Sequence, residues 1–187
     1  MLIRKATLKD SESIATLLLS TMEDIIFNFI NQNNYDTARG FLLHFVKQEN
    51  NQYSYQNCFV AEEDNQIIAA VNLYDGSKLI ELRNPIIQYV RSHFNPNFNP
   101  ENETQSGEIY IDSLGVDPNQ QGKGIGTTIL HFLIDEFVTL NQQTLGLLVE
   151  EANPQAKKLY LKLGFKPAGK KTLVGKKLEH LQFSNSK

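Results

Sequence analysis

Residues 107–140 read GEIYIDSLGVDPNQQGKGIGTTILHFLIDEFVTL, and the organisation of the chain follows from them. The stretch opens as a strand, with Ile109 and Ile111 alternating with Glu108, Tyr110 and Asp112, the period of a pleated backbone. It closes as a helix, because Ile125, Ile129, Phe132, Leu133, Phe137 and Leu140 recur at three- and four-residue intervals. Between the two lies Asp117-Pro-Asn-Gln-Gln-Gly-Lys-Gly-Ile-Gly126, glycine-rich where the helix starts. Glycines let the backbone approach a bulky anion, and the first helical N–H groups have no internal partner. Those donors and the positive end of the helix dipole suit a phosphate. The same glycines could serve only a tight strand-to-helix turn, but Gly122, Gly124 and Gly126 alternating around Lys123 favour anion binding. Two familiar phosphate loops do not fit. A Walker loop needs Ser or Thr directly after Gly-Lys, and Lys123 is followed by Gly124. A dinucleotide fingerprint begun at Gly122 needs glycine where Thr127 stands; begun at Gly124, it needs glycine where Ile129 stands.

The pattern that does fit is Gln-x-x-Gly-x-Gly, carried by Gln121, Gly124 and Gly126. A second pattern follows one strand later, Asn153-Pro-Gln-Ala156-Lys-Lys-Leu159-Tyr160-Leu-Lys-Leu-Gly164-Phe165. With both in place the chain resembles the GNAT superfamily of acyl-CoA-dependent N-acyltransferases, well over about residues 56–183 and only as a general pattern before them. The resemblance implies acetyl-CoA as cosubstrate, its pyrophosphate held by the loop Gln121, Gly122, Lys123, Gly124, Ile125, Gly126 and Thr127. It implies a bulged central strand whose backbone at Leu114, Gly115 and Val116 holds the pantetheine arm, and Ser113-Leu114-Gly115 is the expected bulge. It places Tyr160 near the coenzyme sulfur as the acid that protonates the departing thiolate; a helix-face tyrosine packed in the core is the alternative. Asn153 caps its helix and can also hydrogen-bond the coenzyme. A general base is sought among the strand carboxylates: Asp112 first, as nearest the bulge, then Glu150, either of which could instead be a solvated or paired acid.

The rest of the chain is consistent with one such domain over residues 1–187. A 41% hydrophobic and 21% charged composition is that of an ordinary globular protein, and a net charge of −3 invites no nucleic acid. Cys58 is the one cysteine, so no intrachain disulfide can form; within Asn-Cys-Phe-Val-Ala it reads as core rather than nucleophile. His44 and His93 lack a second ligand at metal spacing, and no metal is expected. No apolar run is read as a membrane span and no signal core is seen at the start, so a cytoplasmic location is expected. A homodimer is left open.

In order, Met1–Thr7 reads as a short strand. Asp10 then caps a helix bearing Ile14, Leu17, Leu18 and Met22, and Asp36 caps a second bearing Ala38, Phe41, Leu42 and Phe45. Cys58–Glu62 and Ile67–Tyr74 form a hairpin. Asn84 and Pro85 start a short helix with Ile86, Ile87 and Val90, followed by an aperiodic Asn- and Pro-rich loop. Residues 84–106 read as a lid or acceptor-site insertion, or as surface decoration. Thr144–Val149 is a strand covered on both faces, and Leu173–Phe183 adds one or two more with a turn near Gly175. The expected fold is α/β (α+β): a mixed, partly parallel sheet of about six to seven strands flanked by helices. The expected activity is transfer of an acetyl group to a primary amine of a small molecule or peptide. The alternative is a non-catalytic acyl-CoA-binding sensor or interaction module. A dinucleotide-dependent oxidoreductase is disfavoured by the misplaced third glycine.

Overall fold

A computed structural model describes residues 1–185. Its strands are β1 (Leu2–Lys5), β2 (Cys58–Glu63), β3 (Gln66–Asp75), β4 (Ile109–Val116), β5 (Leu145–Glu150), β6 (Lys166–Leu173) and β7 (Lys176–Phe183). The α-helices are α1 (Ser11–Ile30), α2 (Tyr35–Val46), α3 (Leu79–His93), α4 (Ile125–Leu133) and α5 (Pro154–Leu163). The strands form one sheet in the order β1-β2-β3-β4-β5-β7-β6. Only β4 and β5 run parallel, as expected for strands joined through a helix; every other neighbour is antiparallel.

Alternation along β2 and β3 sends residues to two cores. Cys58, Val60 and Ala70 join α1, α2 and α3 on one face. Phe59, Ala61, Ala69 and Val71 join α4 and its continuation on the other, with α5 packed at that core's edge. Cys58 is fully buried and free, and burial pushes its thiol up to about 12, so it remains an inert core thiol. His44 and His93 flank the Tyr89 ring, at centroid distances of 4.6 and 4.1 Å.

Several local expectations are corrected. Asp10 is not a simple cap. It ends a short 3-10 turn, reaches back to the Thr7 N–H at 2.7 Å and takes two hydrogen bonds from Arg4. Asn34, not Asp36, caps α2, accepting from Thr37 N at 2.8 Å. α3 begins at Leu79, five residues before Asn84, because a 3-10 turn capped by Asp75 runs directly into it; Pro85 therefore lies inside the helix. The apolar stripe after Gly126 is not one α-helix: α4 gives way to a π-helical segment over Ile134–Leu140, and Leu140 ends exposed. The wider π turn rotates that last apolar position off the core-facing stripe. By length and composition, Leu8–Ile30 is apolar enough to cross a membrane, with a mean hydropathy of 1.4. Here its residues Ile14, Leu18 and Ile26 are inaccessible, packed in the core.

Candidate active site

The loop between β4 and α4 has the backbone an anion cradle needs. Gly122 and Gly124 take φ of 77° and 79°, left-handed values that cost a side-chain-bearing residue, and the space beside each is open. Among the described residues, no backbone carbonyl accepts from the N–H groups of residues 121–127. The first such bond runs from Thr128 to Gly124 O at 3.0 Å. Gln121 braces the loop to the end of β4 through Val116 O at 3.3 Å, and Lys123 holds Gln120 at 2.7 Å. A Cβ built on Gly126 would come only within ordinary contact of Leu114 and Val116. The residues present thus fit a pyrophosphate.

β4 and β5 then part. Their pairing ends at Ile111↔Leu147, so from Asp112 onward the β5-facing edge of β4 has no ladder partner. The bulge that bends β4 away is at Asp112: Asn72 stands opposite Ser113 and Leu73 opposite Ile111, leaving Asp112 as the extra residue. This displaces the bulge expected at Ser113-Leu114-Gly115. Gly115 answers a different need, since its missing Cβ makes room for the backbone of α1 at Leu17. α1 is itself kinked at Met22 (φ −131°, ψ 24°), and Thr21, Met22 and Ile25 turn toward the opening.

A cavity of about 590 Å³ fills the gap between the parted strands. Asp112, Glu150, Asn153 and Tyr160 all line it, together with Leu114 and Glu103. The structure therefore brings the candidate acid and both candidate bases to one space. The Oδ2 atom of Asp112 is buried without a hydrogen-bond partner. Burial and the nearby Glu103 carboxylate push the Asp112 carboxyl well above the usual carboxylate range, with the Arg83 guanidinium acting the other way. Glu150 is already engaged: Lys176 Nζ lies 2.9 Å from its Oε1 and 3.2 Å from Asp24 Oδ2.

Tyr160 sits on α5, which Asn153 starts by accepting from Ala156 N at 3.1 Å and Gly164 stops at φ 103°. Its ring meets Phe165 edge-on at 5.9 Å, and burial raises its phenol above the ordinary value. A neutral, cavity-lining phenol has a proton to give.

Sequence reasoning missed Glu103, Arg83 and Gln52. Glu103 comes from the loop after α3, and its Oε1 accepts from Gln52 Nε2 at 2.7 Å, Tyr74 OH at 2.8 Å and Arg83. Arg83, buried on α3, also donates to Gln52 Oε1 at 3.0 Å and to the Glu101 carbonyl at 2.7 Å. A lone arginine on the apolar stripe of a helix, followed by an acid in an irregular loop, was the available signal. The same loop is anchored further out by Phe98, packed on Phe29 at 4.6 Å, and by Arg91 bonding the Phe98 carbonyl. Phe98 and Thr104 are thus buried, while most of residues 95–106 are exposed.

A parted parallel strand pair, a bulged central strand and a glycine loop at a helix start define an acyltransferase architecture of the GNAT type. Residues 26–165 match the acetyltransferase (GNAT) family, and the chain belongs to that family. A solved acetyltransferase structure superposes with a TM-score of 0.82 at 27% identity, over 100% of both chains. An N-acetyltransferase from Staphylococcus aureus Mu50 gives a TM-score of 0.84 at 21% identity, over 98% of this chain and 100% of that one, a likeness of fold. A 63-residue stretch is 43% identical to mycothiol acetyltransferase of Mycobacterium sp. (strain JLS), covering 32% of this chain and 20% of that protein. A 61-residue stretch is 41% identical to ribosomal protein bS18-alanine N-acetyltransferase of Salmonella typhimurium, covering 33% of this chain and 41% of that protein. The matched stretches thus span less than half the length of these curated relatives.

Proposed function

We propose that the chain is a single-domain N-acetyltransferase. It moves the acetyl group of acetyl-CoA to a primary amine of a small molecule or peptide by direct attack, without a metal and in the cytoplasm. The observation that carries this reading is that Asp112 and Tyr160 line the same cavity, in the gap between β4 and β5 beside the glycine loop.

The N–H groups from Gln121 to Thr127 hold the coenzyme pyrophosphate, and the unpaired edge of β4 at Leu114, Gly115 and Val116 receives the pantetheine arm. An N–H on that edge stabilises the carbonyl oxygen as it gains charge. Asp112 takes a proton from the incoming ammonium, a task suited by its place on the cavity wall and by the burial that strengthens its hold on a proton. The amine lone pair forms the C–N bond, and the C–S bond breaks as Tyr160 gives its proton to sulfur. The proton shed by the new amide nitrogen returns Tyr160 to its phenol, and the one on Asp112 passes to water. Glu150, paired with Lys176 at the rim, is the lesser candidate for base.

Calorimetric titration with coenzyme A, followed by a screen of amines and peptides with acetyl-CoA that counts released thiol, tests this reading. Binding and amine-dependent release are expected. Binding with only slow, amine-independent hydrolysis would instead identify a sensor that has lost transfer.

A further inference from the structure

The walls of the cavity have an unbalanced chemistry. Three carboxylates face it, Glu103, Asp112 and Glu150, while among the described residues no Lys, Arg or His lines it. Glu150 at the rim has Lys176. The inner pair shares one cation, Arg83, and Arg83 is spent on Glu103 Oε1. Two valences are left open. Asp112 Oδ2 is buried with no donor, and among the described residues no donor reaches Glu103 Oε2, the three around this carboxylate all meeting Oε1. A buried carboxylate oxygen without a donor, as at Asp112, is costly, and a ligand that brings N–H donors and positive charge would relieve it. An ammonium brings three donors and one charge. Besides the polar Thr21, Ser113, Asn153 and Tyr160, the wall carries Met22, Ile25, Leu148, Leu173 and Leu178, an apolar surface that suits methylene groups.

We infer that the acceptor is an aliphatic diamine or polyamine, with Glu103 holding its non-reacting ammonium while the reacting one meets Asp112. The inference rests on the transferase reading for the fate of the amine, but its binding half stands apart. The reacting nitrogen is neutral once Asp112 has taken its proton, whereas a distal ammonium still meets the open Oε2 of Glu103, an acceptor that a monoamine leaves unused. An acceptor carrying a carboxylate would set like charges together in a low-dielectric space. The reaction balances as above: one amine nitrogen gains the acetyl carbon, sulfur gains a proton, and the distal ammonium is unchanged. Glu103 is thereby a specificity residue and not a catalytic one.

Three acceptors of matched chain length separate the possibilities: putrescine, butylamine and gamma-aminobutyrate, each assayed with acetyl-CoA. The expected order of kcat/KM puts putrescine at least about tenfold above butylamine, a difference appropriate to one partly buried charge pair, with gamma-aminobutyrate last. In Glu103→Gln the putrescine-to-butylamine ratio should collapse to within about threefold, chiefly through the KM for putrescine. Equal or better use of butylamine or gamma-aminobutyrate by the wild type overturns the inference, as does a putrescine preference that survives Glu103→Gln. Calorimetry of putrescine on the coenzyme A-loaded protein supplies the arm that needs no turnover. Binding without transfer would uphold the diamine site and sink the transferase reading. Acetylation of a peptide amine with no binding of putrescine would do the reverse. If Glu103→Gln does not fold, Asp112→Asn removes the other carboxylate, and putrescine affinity should fall at least about tenfold; unchanged affinity contradicts the site.

Discussion

The backbone of α1 rests on β4 so closely that a Cβ built on Gly115 would stand 2.0 Å from the carbonyl oxygen of Leu17. No side chain can occupy that contact, because the obstacle is main chain inside a helix and cannot rotate away. It fixes α1 against the C-terminal end of β4, and the kink at Met22 then turns Thr21, Met22 and Ile25 into the cavity wall. Gly115→Ala should therefore lower stability by at least about 2 kcal/mol, as overpacking against fixed backbone does. Chemical denaturation would register this as a lower midpoint with little change in slope. An unaltered midpoint would mean the helix does not sit there in solution.

In the proposed site Gly124 bears on the coenzyme instead. At φ 79° with open space beside it, it is where a side chain would both strain the turn and intrude on the phosphates. Gly124→Val should raise the acetyl-CoA Kd at least about tenfold, or 1.4 kcal/mol. Lys123→Ala should do less, because a flexible ammonium already bonded to Gln120 adds only a screened charge. Calorimetry on folded variants checks both, and a valine variant with wild-type affinity would contradict the cradle.

Asp112 links activity and stability in opposite directions. Its folded pKa is raised above that of the unfolded chain, so at pH values between the two the native state holds a proton that unfolding releases. The favourable contribution of the neutral acid is complete below the ordinary carboxylate range, about 3.9, and is lost as pH climbs toward the raised value. Asp112→Asn keeps the shape without the ionisation. Its Tm should gain on the wild type by roughly 2 °C or more between pH 5 and 8, while kcat/KM falls by about a hundredfold as the base is removed. Melting curves across that range that stay parallel would show Asp112 ionised at no cost, and hence a poor base.

Tyr160→Phe preserves the ring and its edge contact with Phe165, so fold and coenzyme affinity should survive. Loss of the proton donor should lower kcat by roughly ten- to a thousandfold, with water as the substitute acid. The loss should be largest for a weakly basic acceptor, whose adduct more readily expels the amine. Full turnover would remove Tyr160 from the acid role; weakened binding with kcat intact would make it a packing residue.

What the sequence disclosed follows from the range of the interactions involved. The strand at Ile109, the glycine turn and the helix after it are set by neighbours a few residues apart, and so is the cap Asn153 places on α5; all were legible. The bulge was misplaced because a glycine in a strand has two readings. Only the register of Asn72 against Ser113 shows that Asp112 is the extra residue, and only Leu17, far back in the chain, explains Gly115. The wall around Asp112 was illegible for the same reason. Glu103 meets Gln52 and Arg83 across 51 and 20 residues of chain, through a loop with no periodicity to announce its path. The start of α3 was missed because Asn84-Pro85 imitates a helix start from inside a helix.

The central claim is that this cavity joins acetyl-CoA to an amine. Its most direct measurement counts free thiol and N-acetylated product in the same reaction, with the wild type and with Asp112→Asn at matched coenzyme saturation. The account predicts equal molar amounts of thiol and acetylamine from the wild type and a parallel loss of both in the variant. Thiol released without acetylamine, or a variant that acetylates at the wild-type rate, would contradict it.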